Sequence, residues 1–376
     1  MTGESSGTTK AVAGAPGHPV ATWKGLASLA LAFVLVAVEQ LHLVAEESVF
    51  FIVPAVPLLI ISVFGAVHYA EIVSARFGQP FGSIVLATAV TVIEVSLIIS
   101  MMMAPSEGDT TIARDTVFAT LMLVLNGIIG LSLLIGGIRH KEQLFRSHGA
   151  IAAFSVLGAL AVLALALPNY TTAVAGPFYS PVQLIFVAVV SAILYATFLF
   201  AQTVRHRADF VDMDDEILEG THMPTKRQAV LSGVLLVIAL VAVILLAEAL
   251  APGIEHGVAS IGFADAFVGV IIAAIVLLPE ALTALRAAAD NRLQTSLNVS
   301  TGSALASIGL SIPAIAIASL VTHKNLTLGL DTEHVLFLAL TLFIGTLTLA
   351  SGRTTIVQGA VHLVIFGSFL LVAAVP

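Results

Sequence analysis

Long apolar runs separated by short polar turns make up most of this chain. They recur near residues 25–44, 49–75, 81–104, 115–138, 150–167, 181–204, 228–250, 264–287, 295–321, 334–351 and 355–375. Each approaches or exceeds the roughly 20 residues that carry a helix across about 30 Å of hydrocarbon. The turns carry helix breakers: Gly78-Gln79-Pro80, Pro105 to Asp109, Pro168-Asn169 and Pro252-Gly253. The pattern predicts an all-α polytopic membrane protein of about eleven transmembrane helices.

Composition agrees. Hydrophobic residues make up 58% of the chain and charged residues 10%, against about a quarter charged in soluble proteins. Such a chain cannot hide its apolar surface in one water-soluble core, so its solvent is lipid. There are no cysteines, which excludes disulfides, thiolate metal sites and cysteine nucleophiles. The net charge of -8 implies no acidic partner, because much of it comes from one segment. Residues 209–219 hold Asp209, Asp212, Asp214, Asp215, Glu216 and Glu219. Residues 1–22 are polar and Gly/Pro-punctuated, lack the order of a cleavable signal peptide, and read as a disordered tail.

The positive charges orient the spans. With the N-terminus in the cytoplasm, the inner segments hold Lys10, Lys24, Arg76, Arg139, Lys141, Arg146, Arg205, Arg207, Lys226, Arg227, Arg286, Arg292 and Arg353. Only Arg114 and Lys324 fall outside. This is the asymmetry of the positive-inside rule. It places the protein in the inner (plasma) membrane as a multi-pass chain with the C-terminus outside.

An odd count suggests one helix followed by two sets of five, which must then enter the membrane in opposite senses. Such inverted repeats are common in secondary transporters. The expected boundaries are a first helix at 23–44, one repeat at 45–206, an acidic cytoplasmic linker at 207–227, and a second repeat at 228–376. Two acids fall in matching places. Gly82 to Ala87 leads to Glu94 in the third span, and Gly269 to Ala273 leads to Glu280 in the eighth. The helices that follow carry small and polar residues: Thr116, Thr120 and Asn126 in one, Ser300, Thr301, Gly302, Ser303 and Ser307 in the other.

A central acid costs a membrane helix roughly 2.5–3.5 kcal/mol on insertion scales. Two close carboxylates in low dielectric resist being ionised together and titrate as a coupled pair. Two protons or one divalent cation neutralise such a pair. If only the neutralised forms switch between facing in and facing out, cation and proton move in opposite directions. Carboxylates, hydroxyls and carbonyls suit calcium, and the same oxygens also accept sodium or potassium. No cysteine is present and no His lies within one turn of either glutamate, which disfavours zinc or copper. Pro279 frees a backbone carbonyl near Glu280, and Thr88 and Thr91 place hydroxyls ahead of Glu94. No cofactor is expected beyond the transported cation and protons. The partners are membrane lipid and those ions, with no nucleic acid.

The run His68-Tyr-Ala-Glu71, Gly78-Gln-Pro-Phe-Gly82, Ala89-Val-Thr-Val-Ile-Glu94, Ala113-Arg-Asp-Thr-Val-Phe118 and Leu125-Asn-Gly127 resembles the bacterial calcium/proton antiporters of the cation/calcium exchanger superfamily. So does the run Leu278-Pro-Glu280-Ala-Leu-Thr-Ala-Leu-Arg286, Asp290, Gln294 to Asn298 and Gly302-Ser303. The resemblance implies eleven spans, kinked fourth and ninth helices lining the path, and glutamates 94 and 280 binding calcium and protons in turn. The chain departs from that pattern where many members place Gly-Asn before each glutamate; here stand Val90-Thr91 and Val276-Leu277.

Secondary candidates have two readings each. His68 and Glu71 share a helix face and serve as a proton relay or gate, or as a hydrated pair. Asn126, Ser300 and Ser303 line the path, or pack helices together. Glu39 and Glu248 reach interfacial water, and His362 is expected as a buried hydrogen-bonding group. The acidic segment gathers cations, or is a solvated linker. A membrane-embedded hydrolase is disfavoured, because the chain lacks a Ser/His pair, paired aspartates or a His-Glu-x-x-His motif.

Overall fold

The computed structural model describes residues 23–44, 48–77, 88–96, 98–99, 111–210, 224–264, 266–323 and 326–375. The chain runs through α1 (Trp23–Gln40), α2 (Val49–Phe77) and α3 (88–96). Next come α4 (Ile112–Met122) and α5 (Ile129–His140), joined by the π-turn Leu123–Ile128. Helices α6 (Ser147–Ala161) and α7 (Pro181–Phe200) complete the first half. The second half holds α8 (Lys226–Ser260), α9 (Ala266–Val276), α10 (Leu278–Ala289), α11 (Leu293–Thr322), α12 (Thr332–Ala350) and α13 (Ile356–Ala374).

Local sequence sets several helix starts. Ser180, Thr225 and Thr355 each form a reciprocal capping box with a glutamine three residues on. The box satisfies backbone donors that a helix start otherwise leaves open. Pro181 adds a preset φ at the first position of α7.

Eight described helices are long and apolar enough to cross a membrane, and nine if α9 and α10, bent by 62° at Leu277, form one span. The apolar part of α1, Gly25–Gln40, is shorter, and most of the predicted span 81–104 lies outside the described residues. These residues therefore carry eight or nine of the eleven predicted spans. One predicted turn is corrected: α8 continues through Pro252-Gly253 to Ser260. A proline removes one backbone donor, and neighbouring groups commonly absorb that loss in membrane helices. Here the continuation is held by burial, with Val258 packed into the α1–α2–α8 cluster. The turn at Pro168-Asn169 is a 3-10 turn, Leu167–Tyr170. The turns at 78–80 and 105–109, the tail 1–22 and residues 211–219 of the acidic segment lie outside the described residues.

Two apolar clusters organise the bundle. One joins α1, α2, α8 and α9. The other joins α4 to α7 and α10 to α13. Helix α2 packs along α8, α4 on α9, α5 on α13, and α11 on α6, α7 and α10. Large apolar side chains such as Phe50, Phe186, Ile193, Phe343 and Val364 remain on the outer surface. Soluble monomers rarely expose so much apolar surface, and lipid is its natural solvent.

The two ends of the bundle differ. At one end, the short strands β1 (Gln143–Leu144) and β2 (Arg353–Thr354) pair antiparallel. There Gln143 donates to the Ala288 carbonyl and Asn291, and Arg139 reaches Ala289 O. Arg139, Lys141, Arg146, Arg292 and Arg353, all predicted on the same side, therefore gather at this end. At the other end the Arg114 guanidinium donates to Asp115, Asp331 and the Gly329 carbonyl.

Candidate functional site

Helix α3 crosses the seam between the two clusters. Its Ile93 belongs to the α1–α2–α8–α9 cluster, while Ile98 belongs to the other. Glu94 stands between them, 6% exposed. A carboxylate so placed needs donors, because an unpaired buried polar group is costly. Two hydroxyls supply them: Ser307 Oγ of α11 donates to Oε1 at 2.5 Å, and Thr120 Oγ1 of α4 donates at 3.3 Å.

Glu280 lies in the first turn of α10, directly after the break at Leu277. The break has a local cause in Pro279, the second residue of that helix, which cannot continue the hydrogen bonding of α9. The Glu280 carboxylate takes its own backbone N–H, while Oε2 is buried without a hydrogen-bond partner. Glu94 and Glu71 both lie within Coulombic range of Glu280. The influences on the two central carboxylates are burial, hydrogen bonds and other acids, with no lysine or arginine among them.

A cavity of about 10 Å³ opens beside Glu94, lined by Thr116, Thr120, Ile272, Ala273, Val276 and Leu277. The Thr116 hydroxyl is buried and has no hydrogen-bond partner. The side-chain polar atoms named here are oxygens: two carboxylates and the hydroxyls of Thr116, Thr120 and Ser307. Such oxygens can hold a hard cation or protons. Among the described residues no group of three His, Asp or Glu converges as a metal cage.

The sequence-predicted residues divide. Glu94 and Glu280 are both buried, and Glu94 and Glu71, the latter exposed on α2, lie within electrostatic range of Glu280. His68 sits one turn earlier on α2 with its ring 5.9 Å from that of Tyr69. Thr91 is buried and Thr88 exposed on α3. Asn126 is fully buried, and its amide donates to Thr341 at 2.8 Å while its oxygen meets His362 at 3.0 Å. Ser300 donates to the Ser296 carbonyl of its own helix, and Ser303 is half-buried on α11. The hydroxyls placed at Glu94 are those of Thr120 and Ser307, with Thr116 on the adjoining cavity. Their signal was spacing, because residues four apart share a helix face. This joins Thr116 to Thr120 and Ser303 to Ser307.

The sequence profile of the family described as "Sodium/calcium exchanger protein" matches residues 47–204 and 231–375. The chain is 49% identical over 343 residues to the y4hA protein of Sinorhizobium fredii, covering 91% of this chain and 94% of that one. It is 32% identical over 352 residues to the sodium-potassium/proton antiporter ChaA of Escherichia coli, covering 91% and 94%. It is 26% identical to the Ca(2+)/H(+) antiporter of Aphanothece halophytica, covering 81% and 86%. In fold it resembles the structure of native YfkE, with a TM-score of 0.71 at 20% identity, covering 94% of this chain and all of that one. The H+/Ca2+ exchanger CAX gives 0.68 at 18% identity, covering 93% and 88%. The chain belongs to the sodium/calcium exchanger protein family and is a multi-pass membrane antiporter of cations.

Proposed function

We propose that this antiporter exchanges calcium for protons by alternating access, with Glu94 and Glu280 binding the cation or protons in turn. The observation that carries the reading is the pairing itself. Two buried acids from separate halves of the chain lie within electrostatic range of each other, no lysine or arginine among the described residues pairs with either, and one of their oxygens is unsatisfied. One divalent cation or two protons balance that pair, which favours calcium. The Aphanothece relative, a Ca(2+)/H(+) antiporter by name, supports this cargo. A second reading keeps the site and changes the cargo to sodium or potassium. It is supported by the higher identity to the Escherichia coli sodium-potassium/proton antiporter. The two profile matches, one on each side of residues 205–230, support a chain built of two repeats.

The test is transport in sealed vesicles carrying the purified protein. An imposed pH gradient should drive calcium movement, and added calcium should dissipate the gradient. Sodium and potassium, offered in turn, separate the two cargoes. Glu94→Gln and Glu280→Gln should each abolish exchange while the protein still inserts. Normal exchange in either variant overturns the assignment.

A further inference from the structure

Helices α4 and α5 form one span interrupted by the π-turn Leu123–Ile128. In this turn the Ile129 N–H bonds the Val124 carbonyl five residues back. An α-helix would have given that N–H to Leu125. The Leu125 carbonyl is thus left over, deep in the bundle, where an orphaned acceptor is costly.

The ring of His362, on α13, grips this turn at its next residue, Asn126. Its Nδ1 lies 3.0 Å from Asn126 Oδ1, and since an amide oxygen only accepts, Nδ1 carries the proton. Nε2 is then free to accept from the Thr348 hydroxyl at 3.1 Å. The Asn126 amide donates onward to Thr341 at 2.8 Å. His362 and Asn126 are 1% and 0% exposed, so the whole chain of bonds is sealed from solvent. One tautomer satisfies every partner.

The turn has a geometric consequence. The α5 half of the span is fixed against α13 by close approaches. A β-carbon on Gly130 would fall 3.0 Å from His362 Cβ, and one on Gly137 would fall 2.6 Å from the Ile356 nitrogen. Each helical residue advances the helix by about 100°. The extra residue of the π-turn therefore rotates α4 by about that angle relative to α5. In the observed phase Thr120 meets Glu94 and Thr116 faces the cavity. Without the π-turn both would point elsewhere.

We propose that His362 is a positioning residue, which holds the π-turn in place and so keeps Thr116 and Thr120 turned toward Glu94. Its effect on transport rests on the reading of Glu94 as the cation and proton site; its effect on helix phase does not. The two are tested separately. A β-carbon on Gly269 would lie 3.5 Å from Thr116 Cα, so α4 and α9 touch at this pair. The chain has no cysteine of its own, so Thr116→Cys with Gly269→Cys reports the phase of α4 by cross-linking in membranes. The pair should cross-link on oxidation. Adding His362→Leu should sharply lower the yield, while adding His362→Gln, which retains a donor, should preserve it. An undiminished yield with His362→Leu overturns the proposal. If His362→Leu gives no folded protein by gel filtration, Asn126→Leu is read in its place with the same two outcomes. In vesicles, with position 116 native, His362→Leu should weaken apparent cation affinity by about 10- to 100-fold, and His362→Gln should restore most of it. A changed cross-link with unchanged affinity overturns the link from phase to site. Full exchange by Glu94→Gln would instead defeat the reading of Glu94 and leave the phase result standing.

Discussion

At the scale of single residues, Glu94 depends on two hydroxyls of unequal quality. Ser307 donates at 2.5 Å and Thr120 at 3.3 Å. A hydrogen bond to a charged group contributes about 1.5–3 kcal/mol. Ser307→Ala should therefore weaken apparent cation affinity by about tenfold or more, read from initial exchange rates against cation concentration. Thr120→Val should weaken it less. Equal affinity in Ser307→Ala and the unchanged protein would remove Ser307 from the site. The glutamates were legible in the sequence because an ionisable group in an apolar run is expensive and therefore conspicuous. Their partners were not. Serine and threonine are ordinary packing residues in membrane helices, and only the packing of α11 against α3 brings residue 307 to residue 94. Asn126 shows the converse: a polar residue in the right helix, committed to His362 and Thr341 rather than to the carboxylates.

At the scale of elements, hydropathy located helices well and irregularities poorly. Pro252-Gly253 has the sequence of a turn and lies inside α8, where Ile254 and Val258 pack on the α1–α2–α8–α9 cluster and offset one missing donor. The π-turn in the fourth span leaves no mark on hydropathy, since it adds a residue without adding a polar one. The 62° bend before Glu280 was half legible in Pro279, which shows a defect but not its angle. Close helix contacts were likewise invisible. A β-carbon on Gly359 of α13 would fall 2.5 Å from the Leu134 nitrogen of α5, and backbone cannot step aside as a side chain does. Gly359→Leu should force the two helices apart at about 1–3 kcal/mol, as overpacking does. A lowered thermal transition of the purified protein in detergent is the expected readout, and an unchanged one would contradict so close a packing.

At the scale of the whole molecule, the sequence placed basic residues on one side and the fold gathers five of them at one end. Which side of the membrane that end occupies follows from the positive-inside rule and is open to direct measurement. His148, at the start of α6, and Gly257, near the far end of α8, are both exposed. A cysteine at either place would be the only thiol present. In intact cells a membrane-impermeant thiol reagent should label Gly257→Cys and spare His148→Cys until the cells are opened. The opposite pattern would invert the molecule. The overall architecture was legible because lipid imposes length and charge rules on every span. The arrangement of two clusters with Glu94 at their seam was not, because it depends on which helices pack together.

The cavity beside Glu94, about 10 Å³, has barely the room that one water molecule needs. In this conformation a cation can occupy it only after shedding most of its hydration shell, and protein oxygens must replace the lost waters. Calcium accepts about six to eight oxygens in flexible arrangements, whereas magnesium demands a near-ideal octahedron and dehydrates reluctantly. If the cation binds beside Glu94, as proposed, so narrow a void would make dehydration, rather than charge, the property by which two equally charged ions are told apart.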